Sequence, residues 1–396
     1  MPDSLVIPSS DRSSPLSKIK LDTTSGSALH VISGWLDRLG FGAFTPVALY
    51  AAAVSLTFLP LIISAGLGPL SMTTPSKTLT MPFLYDVSTI FMYVVSFPCL
   101  LILTVTDDHL LSESLRRVQV DGILTISEAD GTVLADRWYR RFRITNLAAQ
   151  TLGIVAGGIT AYFVYKLNAT GDIKSWTESE GQLLAVGYIR LYCDFLFSVV
   201  AAVYVIRSVA VPFLLWDIVE HGELHMLPLH PDNAGGLRPI GRLGLRNQYA
   251  ITLVGLNIGL GWLVSYLFTP DNSWKVFIAV AAIAYLIIGP LVFVGPLLPF
   301  RDGMIRNKAQ LMSGVALRMR FQLNDLRSRF ESGAISAEDE QLIERLRKIG
   351  AVINDMPVWP FDTLTLRKFF AAYVIPIVSF VVPPVAKALL RYFPFL

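Results

Sequence analysis

LAVGYIRLYCDFLFSVVAAVYVIRSVAVPFL, residues 184–214, is a run of 31 residues with only three charges, Arg190, Asp194 and Arg207. A hydrocarbon core roughly 30 Å thick is crossed by about 20 apolar residues in helical form. A stretch of this length reads as a membrane-crossing helix, because a helix satisfies its own backbone donors and acceptors where no water is present. Six more apolar runs lie near 43–66, 83–105, 144–166, 247–268, 274–300 and 369–390. They predict an all-α, polytopic membrane protein with six plain crossings. The last run contains Pro376, Pro383 and Pro384. Each proline removes a backbone donor, so 368–396 is expected to hold a proline-broken seventh crossing or a re-entrant segment.

Composition agrees with that reading. Charged residues make up 16% of the chain and the mean hydropathy is +0.54, whereas about a quarter of a soluble domain is charged. A net charge of +3 gives no reason to expect a nucleic-acid partner. Cys99 and Cys193 both fall inside apolar runs, which excludes a loop disulfide. The first apolar run begins too far from the N-terminus for a cleavable leader and reads as an uncleaved anchor.

The cationic residues are sorted by segment. The tail 1–42 holds four Lys and Arg, the first interhelical loop only Lys77, and 106–143 six. Then come Lys174 alone in 167–183, three arginines in 215–246, Lys275 alone, and twelve in 301–368. Such alternation orients a polytopic chain. It places the N-terminal tail, 106–143, 215–246 and 301–367 on the cytoplasmic side of a cell membrane, the inner membrane if there are two. Within the tail, Val31, Ile32, Trp35, Leu36 and Leu39 form one stripe and predict an interfacial helix over 28–41. Residues 43–214 and 247–300 then supply crossings one to four and five to six. In 301–367, apolar residues at helical spacing flank a break at Ser332-Gly333, which predicts a cytoplasmic hairpin of two amphipathic helices. It is expected to pack on its own chain or to engage a second copy or a cytosolic protein.

Three groups of residues could carry function. Arg190, Asp194 and Arg207 in the fourth crossing and Asn257 in the fifth form a candidate intramembrane polar or ion path. Asp194 is one turn from Arg190 and is expected to pair with it. Arg190 and Arg207 lie about 25 Å apart along a helix, so both are expected to snorkel to opposite interfaces. Arg238, Arg242 and Arg246, at four-residue spacing after Gly235-Gly236, form a candidate site for an anion or lipid headgroup. His221, His225, His230 and Asp232 are a candidate divalent-metal or acid/base set, with Asp107, Asp108 and His109 at the same face. The order His-Gly-Glu-Leu-His displaces the glutamate from its place in H-E-x-x-H, so the zinc-protease signature fails.

No nucleotide loop, dinucleotide fingerprint or nucleophile elbow occurs. The residues therefore point first to an oligomeric channel or transporter for an ion or small solute, rather than an enzyme. The alternatives are a membrane-anchored signalling or scaffold protein acting through 301–367, and a membrane enzyme acting on lipid at 217–246.

Overall fold

A computed structural model describes residues 44–67, 81–169, 175–179, 182–226, 230–268, 272–331 and 337–392. The interfacial helix expected over 28–41, with Lys77 and Lys174, lies outside them. Among the described residues six helical stretches are long and apolar enough to cross a membrane. They are Thr45–Leu67, Val87–Asp107, Glu128–Lys166, Ala185–His221, Ala279–Arg327 and Thr363–Val382. The chain is consistent with an integral, all-α membrane protein.

The elements in chain order are α1 (Thr45–Leu56), α2 (Phe58–Leu67), α3 (Val87–Phe91), α4 (Phe97–Val120), α5 (Glu128–Ala169), α6 (Ala185–His221), α7 (Arg238–Phe268), α8 (Asn272–Val294), α9 (Leu298–Glu331), α10 (Ala337–Asn354) and α11 (Thr363–Tyr392). A π-helical turn, Met92–Ser96, joins α3 to α4. Two short antiparallel ladders complete the described structure. β1 (Leu124–Thr125) pairs with β4 (Glu223–Leu224), and β2 (Glu178–Ser179) with β3 (Gln182–Leu183). Several helices outrun their apolar cores: α4 continues to Val120 and α6 to His221, so much of 106–143 and 215–246 is helix rather than loop.

Helix α7, over the fifth apolar run, is the one the others surround; α3, α4, α8 and α11 all pack on it. Its small residues allow this. A Cβ at Gly259 would stand 1.7 Å from the Ser379 hydroxyl of α11. Helices α5 and α6 approach in the same way, since a Cβ at Gly153 would meet the Val199 backbone at 3.0 Å. The outward faces of α5, α8 and α11 are apolar, with Ile144 70% exposed and Leu291 62% exposed. Apolar surface on this scale suits lipid rather than water.

The C-terminal segment corrects the expectation of a break. Helix α11 runs unbroken from Thr363 to Tyr392. A proline inside a helix strands the carbonyl four residues before it, and in lipid that carbonyl needs another donor. Pro376 strands the Ala372 carbonyl, and the Thr252 hydroxyl of α7, shared with the Gln248 carbonyl at 2.8 Å, donates to it at 3.1 Å. Pro290 strands the Leu286 carbonyl in α8, which accepts from the Tyr373 hydroxyl at 2.9 Å. Pro98 strands Val94, which accepts from Tyr50 at 2.9 Å. Three prolines are thus capped from neighbouring helices. Thr252→Val, which keeps the volume and removes the hydroxyl, is expected to lower stability by about 1–3 kcal/mol, the penalty for a stranded buried acceptor. Thermal unfolding in detergent measures it, and an unchanged midpoint would refute this account of α11.

Helices α9 and α10 pack on each other as a hairpin whose root is built into the main core. Met304, Ile353 and Met356 are buried there. Asn307 donates to the Leu224 carbonyl at 2.9 Å, and Lys308 to the Asn354 carbonyl at 2.6 Å. Trp359 lies beneath the Arg301 guanidinium at 4.8 Å.

Candidate functional site

The seam where α6 faces α3, α4 and α7 collects the buried charges. Arg190 opens it, one turn into α6, and its Nη1 lies 3.2 Å from Asp86 Oδ2. Its Nε lies 3.8 Å from Asp194 Oδ2, the i,i+4 pairing read from the sequence. Asp86 is there because it caps α3, accepting from the Thr89 amide at 3.1 Å and the Thr89 hydroxyl at 2.7 Å. It also accepts from the Trp176 indole at 3.2 Å, and the Arg190 guanidinium sits over that ring at 5.4 Å. The Tyr93 hydroxyl donates to Asp194. Asp86 and Asp194 are buried, at 1% and 6% exposure. Two carboxylates therefore share one guanidinium.

Asn257 lies beside this group. Its amide nitrogen donates to the Met92 sulfur at 3.2 Å, next to Tyr93 in the π-helical turn. Its carbonyl oxygen is buried with no hydrogen-bond partner among the described residues. π-helical turns within α-helices are frequent at functional sites.

Farther along the seam is a second charged group. Arg207 donates to the Thr104 carbonyl at 2.8 Å, and its Nη2 lies 3.8 Å from Asp107 Oδ2. Arg246 approaches the other Asp107 oxygen at 3.2 Å and donates to Thr106 Oγ1 at 2.7 Å. Tyr204 donates to Asn247 at 3.1 Å beside them. Here Asp107 is shared by two guanidiniums. This corrects the snorkelling expectation for Arg207, which is 2% exposed; a carboxylate from α4 and a carbonyl inside the bundle hold it instead of an interface.

Between the two groups the seam is apolar. Leu100, Tyr204 and Ala250 pack with Leu103, Phe197, Val200, Ala201 and Val254. The sequence reading put Arg190, Asp194, Arg207 and Asn257 together, and they do lie along one seam. Asp86, Tyr93 and Trp176 join them without having been singled out, and Asp107, expected beside the histidines, belongs here. The available signals were Asp86 as a helix-capping residue before Val87 and Asp107 at the end of an apolar run. Gln248, on α7, was also missed; it is fully buried and neither amide atom has a partner among the described residues.

The arginine set on α7 is split. Arg238 is drawn to Asp362 at 3.3 Å and Arg246 to Asp107, leaving Arg242 exposed. The histidine set is also dispersed. His221 faces the Asp217 carbonyl at 2.8 Å, and Asp217 is held by the Trp138 indole at 2.8 Å and by Arg137 at 3.5 Å. His225 is exposed beside Glu223. His230 Nδ1 lies 2.7 Å from Asp232. Among the described residues no three His, Cys, Asp or Glu side chains gather as a metal-holding group. Asp107, grouped with these residues in the sequence reading, serves the arginines.

Asp232 instead organises the turn before α7. It accepts from the amides of Ala234 at 2.9 Å, Gly236 at 3.0 Å and Arg238 at 3.2 Å. Burial opposes ionisation of its carboxyl, but these amides and His230 outweigh it and hold the group below the usual carboxylate range. Gly236 has φ +90°, and a Cβ there would overlap the Ile123 side chain. A cavity of about 430 Å³ lies between this turn and the end of α10, lined by His230, Asn233, Val352 and Asp355. No known protein family, curated protein or solved structure matches the chain.

Proposed function

We propose that this integral membrane protein moves a proton or another small inorganic ion along the α4–α6–α7 seam, and that the arrangement seen is its closed state. One observation carries the reading: two buried charged groups lie at different levels of α6, Arg190 with Asp86 and Asp194, and Arg207 with Asp107 and Arg246, separated by an apolar layer. On α6, Asp194 and Arg207 are 13 residues apart, roughly 20 Å at the helical rise. Buried charge inside an apolar bundle is costly and tends to mark an ion or proton pathway. A dry constriction between polar vestibules is a way of closing such a path. The excess carboxylate at Asp86 and Asp194 supplies a place for a cation or proton, and Tyr93 and Asn257 supply polar neighbours. The hairpin end lies in the cytoplasm in this reading, since the segments there carry most of the Lys and Arg.

The test is flux into liposomes holding the purified protein, under imposed proton, Na⁺, K⁺ and Cl⁻ gradients. The wild type is expected to exceed empty liposomes for at least one ion. Asp194→Asn leaves Arg190 paired with Asp86 and so keeps the fold. It is expected to reduce that flux by at least about tenfold, the factor that ~1.4 kcal/mol on a barrier gives. Wild-type flux equal to that of empty liposomes for every gradient would end the proposal.

A second reading rests on α9, where Leu317 is 56% and Phe321 65% exposed beyond the packed root of the hairpin. Apolar side chains displayed there suit a membrane-anchored scaffold, and absent flux would leave that reading in place.

A further inference from the structure

A cleft of about 180 Å³ opens between α4 and the start of α7, lined by Leu110, Glu113, Ser114, Arg117, Pro239, Arg242, Leu243 and Arg246. Its charge is one-sided. Glu113 is shared by Arg116 and Arg117, each at 2.8 Å, and hydrogen bonds from these two arginines hold its carboxyl down to about 2. Asp107 is shared by Arg207 and Arg246. Arg242 is exposed and has no partner among the described residues. Among the residues that line the cleft, three guanidiniums, Arg117, Arg242 and Arg246, stand against one carboxylate, Glu113.

Position and lining narrow the ligand. The apolar part of α4 ends at Asp107, and the cleft begins one turn beyond it at Leu110. With the apolar boundary at Asp107, headgroups would lie at this level. Leu110 is 40% exposed on the rim while Leu243 is buried in the wall, so the cleft offers apolar contact next to its cations. Arginine forks recognise phosphate oxygens with two parallel donors, and the Ser114 hydroxyl adds another.

We propose that the cleft formed by Arg117, Ser114, Arg242 and Arg246 binds a phosphate monoester anion at the membrane surface, the headgroup of an anionic lipid such as phosphatidic acid. The structure replaces Arg238, which the four-residue spacing would nominate, by Arg117 from a different helix. The site shares Arg246 with the second charged group of the seam, but Arg117 and Arg242, on which its test rests, touch neither charged group.

Native mass spectrometry of the full chain in detergent, titrated with dioleoyl phosphatidic acid or phosphatidylcholine, tests this. Phosphatidic acid is expected to bind in preference to phosphatidylcholine. Arg117→Gln and Arg242→Gln are each expected to weaken that binding about fivefold, the worth of one basic residue at an anionic membrane surface. Both side chains are exposed, so neither change threatens the fold. Arg238→Gln, whose partner is Asp362, is expected to leave binding unchanged. A parallel titration with inorganic phosphate separates the sources. Displacement of the lipid at equal concentration assigns the site to free phosphate, and failure to displace assigns it to the headgroup. Equal binding of both lipids, wild-type binding by Arg117→Gln and Arg242→Gln together, or an equal loss in Arg238→Gln would overturn the proposal.

Discussion

Arg190→Met is expected to destabilise the folded chain by about 3–5 kcal/mol, the penalty for leaving buried charge uncompensated. Among the described residues the arginine is the single cation between Asp86 and Asp194, at 3.2 and 3.8 Å. Methionine fills much of its volume and leaves two carboxylates facing each other inside the bundle. Asp86→Asn or Asp194→Asn does the reverse, converting two carboxylates and one guanidinium into a balanced pair, and is expected to be much milder. Thermal unfolding of all three variants in the same detergent gives the comparison. If Asp194→Asn unfolds as early as Arg190→Met, the charge account of this group is wrong.

Asp107→Ala is the mirror experiment, with a similar expected loss of about 3–5 kcal/mol. It removes the carboxylate that Arg207 and Arg246 share, at 3.8 and 3.2 Å. Arg207→Met alone leaves Asp107 with Arg246 and is expected to be the lesser change. Adding Arg207→Met to Asp107→Ala should restore part of the lost stability, because it removes one of the two guanidiniums that Asp107 balances. A double variant less stable than Asp107→Ala would show that Arg207 is held by packing and the Thr104 carbonyl rather than by charge.

The positions of the helices were legible because a bilayer leaves the backbone little choice. An apolar run of sufficient length satisfies its hydrogen bonds locally as a helix. The Arg190–Asp194 pair was legible for the same local reason, one helical turn separating its members. The fate of the prolines was not. Whether Pro376 breaks a helix depends on a hydroxyl at Thr252, more than a hundred residues away in sequence, and no local pattern reports that. The partners of the arginines at 238, 242 and 246 were equally out of reach of local pattern. The spacing correctly describes one face of a helix start, while Asp362 and Asp107 from other elements decide which cation is left over.

By itself the sequence determined a helical membrane protein with charged residues inside the fourth apolar run. The tertiary structure alone decided what those charges meet. Asp86 reaches Arg190, and Asp107 reaches both Arg207 and Arg246, only because α3, α4 and α7 pack beside α6. Helix formation is a short-range hydrogen-bonding choice. The compensation of buried charge is a long-range one, set by which helix faces fit together.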